Sequence, residues 1–131
     1  MLDCAVVVLL FVFDPLFKKQ TNKKVVAYFA DEAASGAFYI SMAADQIVAN
    51  PNTITGSIGV IISYLNFGDL ASKYGVSSIV YKSGPHKDIV SEFRAPTKEE
   101  QDIMQSLITD TYNNFVTVVS TGRNISQDQV R

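Results

Sequence analysis

The chain has 131 residues, 47% hydrophobic and 18% charged, which is enough apolar material for one packed domain and excludes a disordered chain. A formal net charge of -2, with no local cluster of Lys and Arg, offers no basic field to a nucleic-acid backbone, so nucleic acid is not expected as a partner. A single cysteine, Cys4, and a single histidine, His86, exclude an internal disulfide framework and the ligand set of a usual zinc site, and nothing indicates a metal or another cofactor.

In chain order, the first feature is a continuous apolar run, Ala5 to Phe13 (AVVVLLFVF), between Asp3 and Asp14. It is shorter than the roughly 20 residues a bilayer crossing needs. The basic pair Lys18 and Lys19 follows the run, where a secretory signal would have it in front, and no A-x-A cleavage site is evident. The run therefore reads as a buried strand, and the chain lacks a clear transmembrane anchor or signal peptide. Val25 to Phe29 (VVAYF) reads as a second buried strand, and Ser35 to Ala44 as a helix of small and apolar residues. Gln46 to Ala49 is a short strand stopped by Asn50-Pro51-Asn52, a strong turn signal.

Ser57 to Leu65 (SIGVIISYL) is a further apolar run, Phe67 to Tyr74 a short helix ended by Gly75, and Val76 to Tyr81 (VSSIVY) another strand left through Ser83-Gly84-Pro85. The alternation of strand and helix patterns favours an α/β fold with a largely parallel sheet. Thr97 and Glu100 form a T-x-x-E capping box, and Ile103, Leu107, Ile108, Phe115 and Val119 recur at helical spacing. That pattern predicts a helix from about Lys98 to Thr121 stopping at Gly122. Ser126 and Gln129 repeat the box, so another helix starts there and the chain ends inside it.

Three short stretches have residues suited to chemistry. Ser35 sits between a strand and a helix, among Ala33, Ala34 and Gly36. A serine there either caps the helix or acts as a nucleophile, because such a turn exposes the hydroxyl, small neighbours admit a substrate backbone, and the helix start offers free N–H groups. A serine nucleophile needs a base. Two candidates stand side by side in the turn Lys82 to Asp88 (KSGPHKD). His86 has an imidazole that titrates near neutral pH, and Lys87 would serve if apolar surroundings favour its neutral amine; composition does not choose between them. In Thr55-Gly56-Ser57-Ile58-Gly59, glycines flank a serine, which reads as a tight turn entering a core strand or as a hydrogen-bond partner for a buried amine.

Taken together, Lys24 to Ala27 (KVVA), Ala33 to Gly36 (AASG), Ala43 to Pro51 (AADQIVANP), Thr55 to Val60 (TGSIGV) and Lys82 to Ile89 (KSGPHKDI) resemble, in order and spacing, the signal peptide peptidase A (SppA) family of serine-lysine peptidases. The resemblance implies an α/β ClpP/crotonase-like fold with a mainly parallel sheet flanked by helices, incomplete at both ends. It implies Ser35 as nucleophile, Lys87 in place of His86 as general base, Ser57 as the serine that orients the lysine, and the Gly36 N–H as an oxyanion donor. It implies a serine endopeptidase without cofactor that cuts remnant signal peptides or unstructured chains near the membrane surface as a homo-oligomer, with peptide substrates as its partners. Full-length members are membrane-associated.

Where the family has A-S-G-G-Y-Y, this chain has Ala37 and Phe38 in place of the second glycine and first tyrosine. The family's upstream S-P-G-G segment, source of a second oxyanion donor, has no counterpart before Ser35. The expected organisation is therefore an atypical apolar segment over residues 1–17, unrelated to the family, and a partial peptidase domain over 18–131. The rival expectations are an inactive family member serving as an oligomerisation or peptide-binding module and, more remotely, a crotonase-like acyl-CoA enzyme.

Overall fold

A computed structural model describes residues 20–131. The first apolar run and the division at residue 17 lie outside these residues. The chain divides into two units: the described residues up to Gly59 together with Tyr112–Arg131, and Val60–Thr111. Mixed α/β structure with parallel strands is present, as expected. Among the described residues no helix is long and apolar enough to cross a membrane.

The first unit is built on two parallel strand pairs. Strand β1 (Val26–Phe29) pairs with β3 (Gln46–Ala49) in the register Val26↔Gln46 to Phe29↔Ala49. Strand β2 (Glu32–Ala34) pairs with β4 (Ile54–Gly56), with Ala34 opposite Gly56. The short helix α1 (Gly36–Ser41) follows β2 directly. The run Val25 to Phe29 is half-buried, where full burial was expected: Phe29 and Ala27 turn inward while Val26 and Tyr28 are exposed, the period-2 alternation of a strand with one covered face. The Asn50-Pro51-Asn52 signal forms its turn, closed by the Thr53 N–H donating to the Asn50 carbonyl at 3.1 Å. The Thr53 hydroxyl then donates to the Ala30 carbonyl at 2.6 Å, tying that turn to the end of β1.

The core of this unit is Met42, Phe115 and Val119, with Phe38, Tyr39, Ile47, Ile58, Val118 and Val130 packed around them. Tyr39 and Phe115 meet edge to face, ring centroids 5.1 Å apart at 82°. Phe115 and Val119 come from the long helix α3 (Lys98–Arg123), which is followed by α4 (Gln127–Val130). Both capping boxes form. The Glu100 N–H donates to the Thr97 hydroxyl at 3.2 Å while the Thr97 N–H donates to Glu100 Oε2 at 2.8 Å, and Ser126 and Gln129 exchange the equivalent pair.

Helix α3 does not stop at Gly122. It continues to Arg123 because Gly122 packs against the chain at the end of α1, where an added Cβ would lie 2.7 Å from the Met42 carbonyl oxygen. The stop is Asn124, at φ 54, with the Ile125 N–H returning to the Ser120 carbonyl at 3.1 Å, a Schellman ending with asparagine in the usual glycine position. Arg123 donates to the Met42 and Ala44 carbonyls at 3.2 and 2.7 Å, placing a cation on the open end of α1.

The second unit contains α2 (Gly68–Lys73) and the first half of α3. Gly75, at φ 70, ends α2 as expected, with Val76 N–H bonded to the Ala71 carbonyl. The strand expected over Val76 to Tyr81 does not form, and most of the Ser57 to Leu65 run is likewise unpaired. A strand exists only through bonds to a neighbour, and among the described residues none pairs with these runs, so Ile61, Ile79 and Tyr81 stay exposed at 83%, 77% and 96%.

Candidate active site

Ser35 occupies the turn between β2 and α1 in a strained conformation, φ 53 and ψ -117, outside the wells a non-glycine residue prefers. Backbone bonds fix it there. Its N–H donates to the Gly56 carbonyl at 2.8 Å, and its own carbonyl accepts the Tyr39 N–H at 2.8 Å. Holding such a conformation costs about 1–3 kcal/mol and requires surroundings that over-determine it, here the β2–β4 pairing and the first turn of α1. The side chain is exposed and makes no capping bond to the helix it precedes. The cap alternative is thereby answered: Ser35 holds the N-cap position, and its hydroxyl does not cap.

Gly36 begins α1, so its N–H, with those of Ala37 and Phe38, lies at the end of a helix where no intrahelical acceptor is available. A Cβ added at Gly36 would meet nothing within 4 Å, so this side of the turn is open space. Ser57 follows Gly56, the register partner of Ala34, so the parallel pairing puts Ser35 and Ser57 at the carboxyl ends of neighbouring strands. Both serines have positive φ, 53 and 51. In parallel sheets this end is where ligands bind. The structure thus brings Ser35, Gly36 and Ser57 together within the first unit.

Lys87 belongs to the second unit, exposed on a turn over residues 85–90 whose bonds include the Lys87 N–H to the Gly84 carbonyl at 3.3 Å and the Ile89 N–H to the His86 carbonyl at 3.2 Å. Among the described residues its ammonium makes no hydrogen bond or ion pair. His86 is differently placed. The sequence shows no acid clearly placed to orient it, yet the start of α3 brings Glu99 Oε1 to 3.4 Å from Nε2 and Glu100 Oε1 to 3.8 Å from Nδ1. Both ring nitrogens thus lie near carboxylates, and Nδ1 is buried without a hydrogen-bond partner among the described residues.

Sequence reasoning missed the charge network beneath this turn. Arg94 Nε and Nη2 donate to Asp88 Oδ2 and Oδ1 at 3.1 and 2.9 Å, and Nη1 and Nη2 to Glu100 Oε2 and Oε1 at 2.7 and 2.5 Å. The Arg94 bonds, then that from Lys82, hold the Asp88 carboxyl well below the usual carboxylate range. The Arg94 bonds, then the Thr97 N–H, hold Glu100 down at about 2. The capping box marked Glu100 in the sequence, but nothing periodic links it to Asp88 or Arg94.

The description Peptidase family S49 matches residues 17–131. The chain is 51% identical over 108 residues to slr0021 of Synechocystis sp., named as a candidate protease, covering 82% of this chain and 39% of that protein. It is 42% identical over 113 residues to an Enterococcus faecium protein named as a candidate signal peptide peptidase SppA, covering 86% and 33%. It is 31% identical over 110 residues to the chloroplastic serine protease SPPA of Arabidopsis thaliana, covering 83% and 16%. The chain spans well under half the length of each of these relatives.

Proposed function

The chain belongs to peptidase family S49, and on that premise we propose that it supplies the Ser-Lys centre of a serine endopeptidase acting on remnant signal peptides or unstructured polypeptides. The observation that carries this reading is the Ser35 hydroxyl, exposed on a strained turn and not spent on capping the helix behind it. In the reaction Ser35 Oγ forms a bond to the scissile carbonyl carbon while its proton passes to the Lys87 amine. The Gly36 N–H donates to the oxyanion that develops, and Ser57 orients the lysine. Collapse breaks the C–N bond, Lys87 returns the proton to the leaving amine, and water then hydrolyses the acyl ester on Ser35.

The names of the relatives support the substrate class, one being a candidate signal peptide peptidase and another a serine protease. Work at a membrane surface and assembly into a homo-oligomer belong to the same proposal. Ser35→Ala and Lys87→Ala are each expected to lower peptide hydrolysis at least about 10³-fold, while His86→Ala leaves most of it. A fluorophosphonate probe should label Ser35 in the wild type and not in Ser35→Ala. Hydrolysis surviving Lys87→Ala would sink the dyad. The exposure of Lys87 favours a second reading, an inactive peptide-binding or oligomerisation module, for which the expected result is peptide binding without labelling.

A further inference from the structure

The turn that presents Lys87 is itself part of no strand or helix. Besides the backbone bonds already given and Ser91 N–H to the Asp88 carbonyl at 2.9 Å, it is closed from its entry side by Lys82, whose Nζ donates to the Pro85 carbonyl at 2.8 Å and to Asp88 Oδ1 at 2.7 Å. Such single turns exchange and fray easily. Among the described residues the Lys87 side chain has no partner, so the backbone sets where its amine starts from.

That backbone is tied down through Asp88, the next residue. Arg94 grips the Asp88 carboxylate with two donors and its carbonyl with Nη2 at 3.2 Å, and grips both oxygens of Glu100 with the other edge of the same guanidinium. Glu100 is fixed twice over, since its side chain is only 2% exposed and its Oε2 also accepts the Thr97 N–H in the capping box of α3. Withdrawing a carboxylate from water is costly unless its oxygens are fully bonded, and here they are. The line Lys82, Asp88, Arg94, Glu100, Thr97 therefore runs from the turn to the first turn of a long helix, with a planar five-donor group at its centre that lysine cannot imitate.

We propose that Arg94 is the positioning residue of the catalytic lysine, holding the Lys87 turn on the start of α3 through Asp88 and Glu100. The proposal rests on the dyad reading and gives the network a role in the rate. A base displaced by about 1 Å loses about 10²-fold in rate with little change in binding.

The test measures peptide hydrolysis and amide hydrogen exchange on the whole chain for wild type, Arg94→Met, Arg94→Lys, Glu100→Gln and Lys87→Ala. Arg94→Met is expected to lower kcat about 10²-fold at a KM within about twofold. Arg94→Lys keeps the charge without the fork and should recover only a minor part. Glu100→Gln keeps a capping box, which accepts glutamine as readily as glutamate, and should still lose about 10-fold. Exchange at Lys87, Ile89 and Ser91 should quicken in all three, with Phe115 to Val119 unchanged. Should Arg94→Met fail to fold, Arg94→Lys and Glu100→Gln decide. Unaltered kcat despite faster exchange, a rise in KM alone, or full recovery in Arg94→Lys overturns the positioning role while Lys87→Ala remains inactive. Hydrolysis that survives Lys87→Ala, or none in the wild type, overturns the dyad itself, and the assigned role with it.

Discussion

The serine turn and the lysine turn are held by different physics. Around Ser35 the constraint is backbone pairing between short parallel strands, backed by the buried group Met42, Phe115 and Val119. Around Lys87 it is a line of charges, Lys82 to Asp88 to Arg94 to Glu100, in a unit whose apolar runs stand largely unpaired. Apolar burial responds little to salt or to pH near neutrality, whereas a partly exposed ion network responds to both. The two halves of the proposed dyad should therefore fail under different insults.

The sharpest way to break the first half is through its core. Phe115 is 6% exposed and packs its ring edge against Tyr39 of α1. Phe115→Ala is expected to cost about 3–5 kcal/mol, from lost burial and the cavity left behind. Urea unfolding followed by far-UV circular dichroism measures it. A cost under about 1 kcal/mol would mean that α3 does not support the serine turn.

Two glycines sharpen the contrast between fold and site. At Gly122 an added methyl would press on the Met42 carbonyl oxygen at 2.7 Å and its Cβ at 2.9 Å, so Gly122→Ala should destabilise by about 1–3 kcal/mol. At Gly36 it would enter open space, so Gly36→Ala should leave stability within about 0.5 kcal/mol. The same substitution places a methyl beside the N–H assigned to the oxyanion and should slow fluorophosphonate labelling of Ser35. Unchanged labelling in Gly36→Ala would remove Gly36 from the proposed site.

How far the sequence reveals this molecule follows the same division. Local signals were readable: the strand Gln46 to Ala49, the turn at Asn50-Pro51-Asn52, the end of α2 at Gly75 and both capping boxes are each decided within a few residues. The pairing of β2 with β4 was not, because three-residue strands carry too little periodicity to be seen. The unpaired state of Val76 to Tyr81 was misread for the opposite reason, since β-branched content signals a strand but not whether a partner is present. Ser35 was marked by its small neighbours, yet only the conformation shows that its hydroxyl leaves the helix uncapped. Arg94 carried no signal at all, because a fork between two acids depends on how the turn folds back onto α3.

The smallest effect, and the one that isolates the lysine turn, is acid loosening. The Glu100 carboxyl lies at about 2 in the folded chain against an ordinary 4.5, and Asp88 is also depressed. A depressed carboxyl contributes stability that is complete above its ordinary value and lost as pH falls towards its folded value. The stability difference between the chain and its Glu100→Gln variant should therefore be flat near neutrality and close between about pH 4.5 and about pH 2. Arg94 stays charged throughout, its bonds to Glu100 and Asp88 holding its guanidinium above its ordinary range, and His86 and Glu99 are the other ionisable groups on Glu100's side of the turn. Making both chains in a His86→Gln background removes the imidazole from the curve. Urea midpoints at each pH read the difference, and 1 M salt should shrink it, since Arg94 and Asp88 are partly open to solvent. A difference that persists unchanged to pH 2 would mean that the charge on Glu100 does not hold the lysine turn, which would then be held by its backbone, as the serine turn is.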